Sequence, residues 1–212
     1  PMYFPSEMAT VKMTGWKDSD DRNAALPEIS AWTSGAEMDE AIILAGKGFA
    51  SGGPLHAVIW CQQQDFSKGQ FSSCRVYPHT DTSVTVTTDE YLPEGVFCLW
   101  VCNDNGWSNP VLINRPALWW CNPSWAFPGA TLDLFGRELT RLPDNLTCDV
   151  FLENEEKFIR LPVISANRYR ARAVLPEEIS PGCWKLWLHP GYGGSYGWSQ
   201  PLSVTIVPKE ER

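Results

Sequence analysis

A chain of 212 residues with a formal net charge of −8 is long enough for two domains with separate cores and too acidic for a surface built to hold phosphate backbones. No apolar run approaches a membrane span. The seven cysteines and three histidines show no Cys-x-x-Cys pair and no clustering of His56, His79 and His189, so no metal or cofactor is expected.

In chain order, residues 1–25 form a polar, irregular extension that starts at Pro1, which reads as a processed or excised start. Its run Lys17-Asp18-Ser19-Asp20-Asp21-Arg22 lacks the glycine and distal glutamate of an EF-hand and reads as a solvated charge run. Met2, Tyr3, Phe4 and Trp16 are its candidate packing contacts with the first module. Residues 26–115 carry seven short apolar runs, near 27–32, 40–46, 57–61, 73–77, 83–87, 96–102 and 110–113. The run Ser83-Val84-Thr85-Val86-Thr87 alternates polar and apolar, as a strand with one buried face does. Cys98 and Cys102 are four apart on one strand, about 13 Å, beyond disulfide reach. Cys61 and Cys74 are placed to face each other across a hairpin, but buried, reduced thiols are the favoured reading.

Arg115-Pro116 marks a junction too short for a flexible linker, so the modules are expected to abut at a fixed angle. Residues 116–208 repeat the strand pattern. Leu132 and Leu134 should point inward and Asp133 outward, and Val150–Leu152 should pair with Phe158–Arg160 in a hairpin. Arg168, Arg170 and Arg172 share one parity, hence one strand face, where clustered cations suit uronate carboxylates or pair with Glu153, Glu155 or Glu156; the pairing is the favoured reading. A glycine-rich loop, Pro190 to Gly197, is longer than its counterpart Asn103–Gly106.

Three phrases recur in the same order. Gly106-Trp107-Ser108-Asn109-Pro110 returns as Gly197-Trp198-Ser199-Gln200-Pro201, Gly95–Val101 answers Gly182–Leu188, and Ile42–Lys47 answers Leu132–Arg137. A near-constant offset implies internal duplication. With no helical periodicity, the expectation is all-β: two tandem immunoglobulin-like β-sandwiches, 26–115 and 116–208.

A Pro-Gly or similar turn, a strand ending Phe-Gly-Arg-x-Leu, a Gly-x-x-x-Leu-Trp strand and a terminal Gly-Trp-Ser-x-Pro together resemble tandem IPT/TIG-type immunoglobulin-like modules. More closely, Trp119-Trp120-Cys121-Asn122-Pro123, Phe135-Gly136-Arg137-Glu138-Leu139 and Tyr192-Gly193-Gly194-Ser195-Tyr196-Gly197-Trp198-Ser199 resemble bacterial carbohydrate-active proteins. Such modules precede pectate-lyase-type β-helices in bacterial carbohydrate-active proteins. Over residues 27–208, the resemblance implies an accessory region of an exported bacterial polysaccharide-active protein. Its partners would be plant cell-wall polysaccharide such as xylan or pectin, or an adjacent β-helix domain. Three roles stand: carbohydrate binding, a structural spacer that docks on the β-helix, or the N-terminal fragment of a lyase or hydrolase.

No residue pattern supports catalysis. Glu153, Glu155, Glu156, Glu177 and Glu178 sit in turns rather than as a carboxylate pair across a cleft. Ser195 has no Gly-x-Ser-x-Gly elbow, and the loop Gly191–Gly197 leads into a strand, not a helix N-terminus. Eleven tryptophans imply aromatic cores, sugar-stacking platforms or both. Counting from Lys185 as a solvent-facing residue places Trp187 and its counterpart Trp100 outside the sandwich cores, with Trp184 and Phe97 inside. Cover by neighbouring long side chains or the other module is favoured over sugar stacking for that pair. Trp119 aligns with Ile29 as core, and Trp120 should face the other way; Trp107 and Trp198 recur, which favours a packing role. Tyr192 and Tyr196 have no counterpart, and glycines would let their rings stand clear of the surface. The candidate carbohydrate-binding set is therefore Tyr192, Tyr196, Trp198, Trp187, Trp100, Trp107 and Trp120.

Overall fold

A computed structural model describes residues 25–37, 39–61, 70–88, 95–140 and 148–209. The predicted N-terminal arm lies outside the described residues, apart from its last residue. The chain is all-β, and its compact units divide between Asn114 and Arg115.

The first unit holds β1 (Glu28–Trp32), β2 (Ala41–Lys47), β3 (His56–Cys61), β4 (Gln70–Val76), β5 (Ser83–Thr88), β6 (Phe97–Asn103), β7 (Gly106–Trp107) and β8 (Val111–Ile113). They form one sheet in the order β1-β2-β5-β4-β3-β6-β7, with β8 also on β6. The sheet curls over its own core: Ile42, Leu44, Val84 and Val86 from β2 and β5 join Ile59, Phe97, Leu99 and Val101 from β3 and β6 in one buried cluster. The pairing of β4 with β5 joins the two layers. Along β5, the buried residues are Val84, Val86 and Thr88, the period of a half-buried strand. The β3–β4 register sets Cys74 opposite Ala57 and Cys61 opposite Gln70. Cys61 and Cys74 therefore lie toward opposite ends of the hairpin and do not face each other.

The second unit is a sandwich of two sheets. One runs β14 (Val163–Ala166), β15 (Arg170–Val174), β11 (Thr131–Arg137), β9 (Ala117–Asn122); the other runs β10 (Trp125–Ala126), β17 (Leu202–Ile206), β16 (Gly182–His189), β12 (Asp149–Glu153), β13 (Phe158–Leu161). Leu132, Leu134, Ala171 and Ala173 of the four-stranded sheet meet Val150, Leu152, Trp184, Leu186 and Val204 of the five-stranded sheet in the core. Trp184 is buried, and its indole N–H donates to the Ser180 carbonyl at 3.1 Å, which satisfies the one polar atom it carries inward. The β12–β13 hairpin is closed by Asn154, whose Oδ1 accepts from the amides of Glu156 and Lys157 at 3.0 and 2.7 Å; this side-chain turn is the reason the polar run can reverse so tightly.

Two local devices occur once in each unit. Ser108 Oγ accepts from the Val101 amide at 3.1 Å and Ser199 Oγ from the Leu188 amide at 3.1 Å. Each serine amide donates in return to the same residue's carbonyl, both at 2.9 Å. The second device is a glycine opposite a strand irregularity. Gly46 pairs with Ile29 and Gly136 with Leu118. A Cβ on Gly46 would lie 1.8 Å from the Glu28 carbonyl oxygen, and one on Gly136 would lie 2.0 Å from that of Ala117.

Candidate functional site

The candidate surface is the outer face of the four-stranded sheet, and the β9–β11 register produces it. Leu118 pairs with Gly136 and Trp120 with Phe135, so Trp119 has no partner of its own: it is the extra residue of a β-bulge. The bulge interrupts alternation, so Leu118 and Cys121 are buried while Trp119 and Trp120, at 53 % and 54 % exposure, both remain outside. This corrects the expected core position of Trp119; the residue equivalent to Ile29 is Leu118, since each lies opposite its unit's bulge glycine. Trp120 faces outward as its parity requires.

Two rows cross this face. The first reads Trp120, Phe135, Arg170, because Phe135 is opposite Trp120 on one side and Arg170 on the other. Trp120 and Phe135 stack with centroids 5.4 Å apart and planes at 22°, Trp119 lies 5.9 Å from Trp120, and the Arg170 guanidinium carbon is 5.7 Å from the Phe135 centroid. The second row reads Asn122, Asp133, Arg172, Ser165. Asp133 Oδ1 accepts from Arg170 Nε and Nη2 at 3.1 and 2.9 Å and lies 3.0 Å from Arg172 Nε. Stacked aromatic rings are thus bordered by a line of hydrogen-bonding groups, an arrangement suited to a ligand with one apolar face and a polar rim.

The arginines share a side as parity demands, but their partners differ from those expected. β15 pairs with β11, which brings Arg170 and Arg172 to Asp133; Arg168, in the turn before β15, donates from Nε to Glu138 at 2.9 Å. Glu153 lies on β12 and Glu155 and Glu156 in the turn after it, in the other sheet.

The glycine-rich loop is built differently from the sequence expectation. Gly191, Gly193 and Gly194 adopt positive φ of 84°, 82° and 54°, conformations that glycine reaches without cost, and they turn the loop back onto His189. The Gly191 amide donates to Nδ1 of His189 at 3.1 Å, and Nε2 lies 2.8 Å from the Gly194 carbonyl. Tyr192 is buried, at 8 % exposure, and Tyr196 is half-buried. The glycines serve a tight fold rather than the presentation of rings, so Tyr192 does not stand clear of the surface.

Trp187 lies outside the core cluster, as parity requires, yet is buried; its Nε1 donates to Glu153 Oε2 at 2.8 Å. Trp198 packs at 4.9 Å from His189, 5.4 Å from Phe151 and 6.4 Å from Phe158, and its carbonyl accepts from Arg115 Nε at 2.7 Å. Burial lowers the Arg115 pKa from its ordinary value. Trp100 and Trp107 are half-buried in the first unit. Of the seven predicted residues, Trp120 alone sits in the stacked, exposed row. Sequence reasoning missed Trp119, Phe135 and Asp133 as its neighbours. Phe135 carried a signal, being an aromatic at the parity of Asp133 and Arg137. Among the described residues no group of histidine, cysteine or carboxylate side chains is placed to hold a metal ion, and no helix is long and apolar enough to cross a membrane.

No family model matches the chain, and no curated protein matches it. Solved structures with some likeness include the surface glycan-binding protein of the mixed-linkage glucan utilization locus of Bacteroides ovatus, in complex with a heptasaccharide, at 10 % identity and TM-score 0.35 over 86 % of this chain and 45 % of that one. The surface glycan-binding protein of Prevotella bryantii gives 14 % and 0.34 over 84 % and 38 %. The first three fibronectin domains of chicken contactin give 14 % and 0.30 over 88 % and 68 %. The chain spans less than half the length of either glycan-binding protein, and likeness at this level assigns no residue a role.

Proposed function

We propose that the chain is a non-catalytic accessory module that binds glycan on the outer face of its four-stranded sheet, within a secreted or cell-surface protein. The observation that supports this is the aromatic group of Trp119, Trp120 and Phe135: three large rings, two of them more than half exposed and stacked side by side, next to Asn122, Asp133 and Arg172 in the adjoining row. Exposed stacked aromatics cost solvation, and a sugar's apolar face removes that cost while its hydroxyls meet the polar row. Plant cell-wall polysaccharides such as xylan or pectin are the proposed targets. The test is affinity electrophoresis in gels containing xylan, pectin or mixed-linkage glucan. Retardation in at least one gel, lost in Trp120→Ala with the fold intact, supports the reading; unchanged migration in all of them refutes it.

A second reading, docking on an adjacent β-helix domain of a longer chain, draws support from Trp125 and Phe127, exposed at 56 % and 39 % and edge-to-face at 5.9 Å. Their protection from solvent on adding such a domain, measured by tryptophan quenching, would favour it.

A further inference from the structure

Resting on the glycan-binding reading, we infer that the ligand is an anionic glycan, a sugar chain bearing carboxylate or sulfate groups, and that Arg172 is the residue that receives the anion. Two guanidinium groups, Arg170 and Arg172, share the single carboxylate of Asp133. Arg170 takes it with two hydrogen bonds. Arg172 has only an Nε at 3.0 Å, and that buried nitrogen finds no aligned acceptor. Among the described residues no carboxylate or carbonyl meets the terminal nitrogens of Arg172, although 42 % of its side chain is exposed. A planar fork of donors thus stands open to solvent.

Its position selects the ligand. Arg172 is opposite Asp133 in the row next to Trp120 and Phe135, and adjacent rows of one sheet face are separated by about 7 Å along the strand. A pyranose ring on Trp120 or Phe135 can therefore place an acid group on the same or the next residue against this fork. The local excess of positive charge lies in a chain whose formal net charge is −8. That background opposes a long phosphate backbone, which needs many cations, but not one acid group bound at close range.

Calorimetric titration of the intact chain tests this with an oligogalacturonide, its fully methyl-esterified form, a sulfated xylan oligosaccharide and oligothymidylate. The acid form should bind about tenfold or more tightly than the ester, and that preference should vanish in Arg172→Gln and shrink in half-molar salt. Asp133→Asn, which removes the competing carboxylate, should tighten binding of the acid. Sulfated xylan bound as well as the uronide would support the inference with either anion as the source. Ester and acid bound equally, with both lost in Trp120→Ala, would overturn the anion preference while leaving the glycan reading intact. Oligothymidylate as the sole binder, or no binding at all, would overturn both.

Discussion

Replacing Gly136 with alanine tests the account of how the tryptophan row is made. Its backbone is not in the left-handed region, so alanine is allowed there; the obstacle is space. The new Cβ would lie 2.0 Å from the Ala117 carbonyl oxygen and 2.9 Å from Leu139 Cδ2, whereas carbon–oxygen contacts settle near ~3.3 Å. More than about 1 Å of movement must come from a hydrogen-bonded strand, because the Ala117 oxygen is main chain and cannot rotate away. Overpacking of this kind costs about 1–3 kcal/mol, and a main-chain neighbour places it at the upper end. The lower entropy of unfolded alanine returns about 0.5 kcal/mol. A net loss near ~2 kcal/mol lowers the melting point of a unit this size by roughly 8–16 °C. Thermal unfolding followed by tryptophan emission reads both the stability and the displacement of Trp119 and Trp120. A melting point within about 2 °C of the parent, with unchanged emission, would refute the claim that the bulge depends on a glycine there.

Other expectations are more local. Ser199→Ala removes the acceptor of the buried Leu188 amide and should cost about 1–3 kcal/mol in urea unfolding, while Ser203→Ala, exposed on β17, should cost under about 0.5 kcal/mol. Burial pushes the Cys102 and Cys148 thiols up to about 11 from 9.0, so an aromatic disulfide reagent at pH 8 should label exposed Cys183 first and reach those two only on unfolding. With those folded values raised, the unfolded chain releases protons first, so stability should be intact below pH 9 and fall as pH rises from 9 toward 11. His189→Ala deletes both ring contacts to the loop and should speed hydrogen exchange across residues 191–197 without unfolding the sandwich.

Much of the scaffold was legible because one strand face is buried and side chains alternate. Leu132 and Leu134 are inside and Asp133 outside, and the hairpin from Val150 to Arg160 forms where its polar turn predicted. Trp119 was not legible, since its exposure comes from a bulge created by its pairing with a distant glycine. The arginines' partners depended on strand order: parity put Arg170 and Arg172 together, but only the pairing of β15 with β11 made Asp133 their neighbour. The glycine loop misled for a different reason. Its composition suggested freedom, whereas the freedom is used to wrap the backbone around His189, a residue outside the glycine run.

The irregular strands also bear on behaviour at high concentration. β1, β9 and β14 each end a sheet, and each carries a residue out of register, at Ser30, Trp119 and Ile164. A straight outer strand offers a ladder of unmet amides and carbonyls to the next molecule, the route by which sheets grow into aggregates. An extra residue twists that ladder out of line and prevents continuous addition of a foreign strand. The same insertion that turns two tryptophans outward therefore guards the border on which they sit. Deleting Trp119 would remove a ring and also straighten that border, exposing the chain to self-association.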